Sequence, residues 1–103
     1  MPNAVKNKRS LLALLKANGQ KIRSFGVNNL SVFGSFITGK LNADSDVDLL
    51  VEFDPQQKSY DNFMDLSFFL EDLLGRRVEI VTPQSLSKHI GPHIVNQAEN
   101  VTF

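Results

Sequence analysis

The chain has 103 residues, 42% hydrophobic and 21% charged, and its basic and acidic residues balance to a formal charge of zero. That length supports one domain over residues 1–103 with a modest core, and the neutral balance argues against broad binding of nucleic acid, which needs a basic field. The absence of cysteine excludes disulfides and thiolate metal sites.

Met1 to Arg9 is polar, carries Lys6, Lys8 and Arg9, and lacks the apolar segment of a signal peptide. No later run approaches the length of a membrane span. A cytoplasmic protein that does not enter a membrane is expected. Residues 1–7 read as frayed. From about Lys8, Leu11, Leu15, Ile22 and Phe25 recur at roughly helical intervals. Asn18-Gly19 splits this stretch into two helices, and Gly26 ends it. Leu30 to Phe33 predicts a short strand running into a Gly34-Ser35 turn. Residues 36–45 form a loop that opens with one helical turn. Asp46 to Phe53 predicts the second strand, whose Leu49-Leu50-Val51 run suggests burial on both faces. A polar connection follows. A helix then runs from about Asp61 to Leu74 and stops at Gly75. Arg77 to Val81 predicts a third strand, ended by Pro83. A last helix covers about Pro92 to Glu99, with Pro92 in its first turn. Val101 to Phe103 reads as a short edge strand. This order predicts an α/β or α+β fold: a small β-sheet flanked by helices.

At about 100° per residue, the apolar positions between Tyr60 and Leu74 spread over roughly 260° of arc. A surface helix has a narrower stripe. The pattern fits a helix embedded in the core of a small protein. It also fits a helix that presents Met64 and Phe68, or Phe69, to a protein partner.

The chemistry concentrates in two places. Gly34-Ser35 closes one apolar run, and after ten intervening residues Asp46-Val47-Asp48 opens the next. Strand residues two apart share a face, so Asp46 and Asp48 project together if the strand begins near Asp46. A Gly-Ser turn can hold a phosphate chain, and paired carboxylates can hold divalent cations. Glu79 interrupts the otherwise apolar strand Val78 to Val81. It is either a solvent-facing residue of an edge strand or a third carboxylate beside the other two. Clustered carboxylates repel, and a divalent cation would hold them ionised. Mg²⁺ suits such oxygen ligands and keeps waters that substrate phosphates can replace.

Other readings fail on spacing. Asp44 to Asp48 resembles the opening of an EF-hand loop, but Leu49 stands at the required glycine and Pro55 at the required glutamate. His89 and His93 are separated by Gly91-Pro92, and no His-Glu-x-x-His pattern exists. Gly39-Lys40-Leu41 lacks the hydroxyl of a P-loop, and no Gly-x-Ser-x-Gly elbow is present.

Val32-Phe33-Gly34-Ser35, Gly39 and Ser45 to Val51 resemble the minimal nucleotidyltransferase (MNT) family of the DNA polymerase β-like superfamily, whose motif is Gly-Ser, ten residues, then Asp-x-Asp. The resemblance extends over nearly the whole chain. It implies the nucleotidyltransferase fold, with a small mixed sheet carrying the carboxylates. It also implies Mg²⁺-dependent transfer of AMP from ATP, or another nucleoside triphosphate, to a hydroxyl. On this sequence Asp46 and Asp48 would bind two Mg²⁺ ions. Glu79 would be the third catalytic carboxylate, holding one metal or activating the acceptor. Gly34 and Ser35 would hold the β- and γ-phosphates. The family commonly has a basic residue just before its second glycine, whereas Phe36, Ile37 and Thr38 occupy that segment here; Lys40 is the candidate substitute. The third acid is usually Asp, and Glu79 is one methylene longer.

Short members of this family often act as antitoxins beside a HEPN-domain RNase toxin. The resemblance therefore implies a hetero-oligomeric pair in which adenylylation of a toxin tyrosine (AMPylation) neutralises it. The alternative is a catalytically weak or inactive antitoxin that neutralises its partner by binding alone. Transfer to a small molecule or RNA is a third reading.

Overall fold

In the computed structural model, which describes residues 4–102, four strands form one mixed sheet in the order β3-β2-β1-β4. The chain runs α1 (Lys8–Ala17), α2 (Gly19–Arg23), β1 (Val27–Phe33), α3 (Ser35–Thr38), β2 (Val47–Phe53), α4 (Tyr60–Leu74), β3 (Val78–Val81), a 3₁₀ turn at Pro83–Ser85, α5 (Gly91–Gln97) and β4 (Glu99–Asn100). β1 pairs antiparallel with β2 and β4, and β2 pairs parallel with β3. The parallel pair needs a crossover, and α4 supplies it.

Local signals set the helix ends. Asn7 caps α1 by accepting from the Ser10 N–H at 2.8 Å. Asn18 separates α1 from α2 as expected, its side chain donating to the Leu14 carbonyl at 2.9 Å. Ser59 caps α4, and Gly75 ends it in the left-handed region that favours glycine.

Alternation along β2 divides the sheet into two faces. Val47, Leu49, Val51 and Phe53 are buried on one face with Leu30 and Val32. Leu11 and Leu15 of α1 and Leu66, Leu70 and Leu74 of α4 complete this core. Asp48, Leu50 and Glu52 take the opposite face. Leu50 is only half-buried there, so the expected burial of the Leu49-Leu50-Val51 run on both faces is partial.

The wide apolar arc of α4 is mostly consumed by the core. Phe63 packs against Phe53 with ring centroids 6.1 Å apart, and Phe69 against Phe25 at 5.6 Å. Phe69 therefore belongs to the core margin and does not face outward. Phe68 remains 61% exposed.

The two ends of the sheet differ from expectation. β1 begins at Val27, because Asn29 pairs with Glu52 across an irregular register. Cross-strand pairing overrides the turn preference of Asn28-Asn29. At the other end, α5 stops at Gln97, since Glu99 and Asn100 pair with β1 as strand. The edge strand thus precedes the segment expected for it. Val101 instead enters the core at 3% exposure, its N–H donating to the Leu30 carbonyl at 2.9 Å. The expectations for residues 1–3 and Phe103 lie outside the described residues.

Candidate active site

The turn after β1 is built on Gly34, whose φ of 78° and ψ of −149° suit a residue without a Cβ. Its carbonyl accepts from the Ile37 and Thr38 N–H groups, both at 2.9 Å, and so starts the single turn of α3. No side chain caps that helix. Ser35 is its first residue. The Gly34 N–H is engaged differently: it donates to Gln97 Oε1 at 2.9 Å.

Asp48 lies against this turn. A Cβ built on Gly34 would stand 2.1 Å from Asp48 Oδ2. On its other side Asp48 is level with Glu79, because β2 and β3 pair in parallel with those two residues in register. Level residues of neighbouring strands share a face. Glu79 is exposed on an edge strand, as the first sequence reading of it expects, and it adjoins Asp48, one of the two carboxylates that the second reading places beside it. Burial pushes the Asp48 carboxyl up from its ordinary 3.8 to about 6, aided by the Glu79 charge, a hydrogen bond with the Glu79 side chain, and the Asp46 charge.

Asp46 sits differently from expectation. β2 starts at Val47, so Asp46 belongs to the end of the preceding loop and acts on Asp48 through its charge. Among the described residues no three His, Asp or Glu side chains gather into a ready-made ligating group. The tight pair is Asp48 with Glu79, and Asp46 flanks it. The donors are all carboxylate oxygens, which suits a hard divalent cation. Such a cation would offset the burial and the like-charge pressure that raise the proton affinity of Asp48. By donor chemistry the residues fit Mg²⁺. Lys40 follows Gly39 at the far end of α3, exposed and without a hydrogen bond or ion pair among the described residues.

Two positioning residues are not legible from the sequence. Arg76 donates through Nε to the Val5 carbonyl at 2.6 Å and through Nη1 to the carbonyls of Asn42, Ala43 and Ser45 at 3.1, 3.3 and 2.8 Å. Its guanidinium also lies 5.2 Å from the centre of the Phe36 ring. One side chain therefore ties the loop leading into Asp46 to the helix that follows Gly34-Ser35. Glu71 of α4 accepts from the Val78 N–H at 3.0 Å and so holds the start of β3, one residue before Glu79. The only sequence signal for Arg76 is its place just after the Gly75 cap.

Comparison with known proteins gives the family and the fold. Residues 12–102 match the family model of the nucleotidyltransferase domain. The chain is 38% identical over 86 residues to protein adenylyltransferase MntA of Thermococcus cleftensis (strain DSM 27260 / KACC 17922 / CL1), covering 82% of this chain and 86% of that relative. A solved structure of a minimal nucleotidyltransferase superposes with a TM-score of 0.81 at 30% identity, covering 94% of this chain and 98% of the other. A toxin–antitoxin crystal structure with AMP-PNP shares the fold, with a TM-score of 0.64 at 22% identity over 93% of this chain and 73% of the other.

Proposed function

The chain belongs to the nucleotidyltransferase domain family, and from that premise we propose that it transfers AMP from ATP to a hydroxyl of a partner protein, acting as an antitoxin. The observation that carries this reading is the placement of Asp48 between Gly34 and Glu79. It sets a carboxylate pair directly beside the Gly34-Ser35 turn. The relative named protein adenylyltransferase supports a protein acceptor. The toxin–antitoxin structure with AMP-PNP supports a toxin partner and a nucleotide donor. The resemblance to short antitoxins supports a HEPN-domain RNase toxin as that partner and a tyrosine as the acceptor. The protein acts as a single domain over residues 1–103 and works in the cytoplasm, where ATP is available. No helix among the described residues is long and apolar enough to cross a membrane.

Ser35 offers its hydroxyl and the uncapped start of α3 to the β- and γ-phosphates, and Lys40 adds positive charge from the far end of that turn. Asp46, Asp48 and Glu79 are the residues that would hold Mg²⁺. Two such ions, when bound, neutralise phosphate charge and stabilise the attacking and leaving oxygens. The acceptor oxygen attacks the α-phosphorus, the bond to the bridging oxygen of the β-phosphate breaks, and pyrophosphate leaves. Glu79 is the carboxylate with solvent-side access, and it takes the acceptor proton. Positioning and charge do the rest.

Incubation with ATP labelled at the α-phosphate, Mg²⁺ and the toxin encoded alongside tests the reading. Label should pass to the toxin with the native chain and fail with Asp46→Asn or Asp48→Asn, both still folded. Neutralisation that survives Asp48→Asn without any label would instead establish an antitoxin that works by occlusion.

A further inference from the structure

We propose that Gln97, at the end of α5, is a positioning residue that braces the phosphate-binding turn. The inference rests on the nucleotide reading of Gly34-Ser35 given above. Glycine has more backbone freedom to lose than any other residue, so Gly34 brings no conformational preference of its own to the turn. Its carbonyl is held by α3, but its N–H is held only from a distance, by Gln97 Oε1 at 2.9 Å. Among the described residues, Gln97 is the one side chain that hydrogen-bonds to Gly34.

The fold explains how a residue 63 positions away reaches this turn. β4 pairs antiparallel with β1, Ser31 with Asn100 and Val32 with Glu99. Continuing that register past the end of β1 sets Gln97 level with Gly34. The carboxamide thus continues the β1–β4 ladder for one more step, with a side chain in place of backbone. On the opposite side of Gly34 stands Asp48 Oδ2. The turn is clamped between the two.

Two consequences follow. The Gly34 N–H is not a phosphate donor, because Gln97 already occupies it, and Ser35 is left as the residue of the turn that meets the phosphates. The α5–β4 segment is also part of the nucleotide site, although it contributes no carboxylate. Holding donors in place before the ligand arrives lowers the ordering cost of binding.

Gln97→Met keeps the size of the side chain and removes the acceptor; Gln97→Ala removes both. Each is titrated calorimetrically, with Mg²⁺ present, against a non-hydrolysable ATP analogue, inorganic tripolyphosphate and adenosine. Affinity for the analogue and for tripolyphosphate should fall about three- to tenfold, the range of one lost neutral hydrogen bond, with adenosine unchanged. The Gly34 amide should exchange with solvent faster in both variants. Unchanged affinity, or a Gly34 amide that exchanges as in the native chain, overturns the brace. Tighter binding overturns it as well, since Gln97 would then compete with phosphate. A native chain that binds neither phosphate probe overturns the nucleotide reading and the brace with it, whereas native binding with unaltered variants overturns the brace alone.

Discussion

Gly34 and Asp48 approach so closely that a methyl group on the glycine would stand 2.1 Å from the Asp48 carboxylate oxygen and 2.9 Å from its Cγ. The turn and the carboxylate are thus one steric unit, although the sequence presents them as two motifs.

Gly34→Ala should therefore do two kinds of damage. The backbone there is accessible to glycine and costs other residues about 1–3 kcal/mol. The added methyl must also push the Asp48 side chain out of its place beside Glu79. Thermal unfolding should show a loss in that range, and AMP transfer to the toxin should fall below detection. Shortening Asp48 to Ala in the same chain should recover part of the stability but none of the transfer, because the clash is relieved while the carboxylate is gone. Non-additivity of the two substitutions in denaturant unfolding measures the contact.

Asp48 sets a pH dependence whose sign can be worked out. Its carboxyl holds a proton more tightly in the folded chain, near 6, than in the unfolded chain, near 3.8. Its contribution to stability is therefore full below about 3.8 and is lost as pH rises through about 6. Asp48→Asn should remove that decline. In melting curves without Mg²⁺, the variant should gain on the native chain between pH 4 and pH 7. A native chain that loses nothing relative to the variant over this interval contradicts the raised value.

Glu79→Gln tests what raises Asp48. Burial is the largest cause, and the Glu79 charge and hydrogen bond follow. Removing the charge should lower the Asp48 value without returning it to the ordinary range. Carboxyl titration by NMR reads this directly. AMP transfer should drop at least tenfold, since an amide cannot take the acceptor proton as proposed for Glu79.

Arg76 should matter beyond its own packing. Arg76→Ala strands four carbonyl acceptors, two of them in partly buried hydrogen bonds, and removes the cation over Phe36. A cost of about 1–3 kcal/mol in urea unfolding is expected. Lysine cannot reproduce the planar fork, so Arg76→Lys should recover little of it. The Asn42 to Ser45 loop leads into Asp46, so transfer should decline at temperatures where both variants remain fully folded.

The sequence alone determined most of the elements, though not the start of β1 or the place of β4, and the residue types on which the chemistry rests. Hydrophobic spacing marked α1, β2 and α4, because one-sided burial imposes a period on apolar residues. Gly34-Ser35, Asp46 and Asp48 stood out because their short spacing is itself the signal. Glu79 was visible only as an acid inside an apolar strand, and its two readings could not be separated. The parallel register of β2 and β3 made it both an edge residue and the neighbour of Asp48. Arg76 and Gln97 carried no such mark. Each acts on backbone groups far away in the chain, Arg76 on Val5 and the Asn42 to Ser45 loop, Gln97 on Gly34. A bond to a distant carbonyl or amide leaves no pattern in the residue that receives it, since every residue except proline offers the same two groups. Only the folded sheet, by bringing β4 beside β1 and the end of α4 beside the loop before β2, decided which side chains those groups would meet.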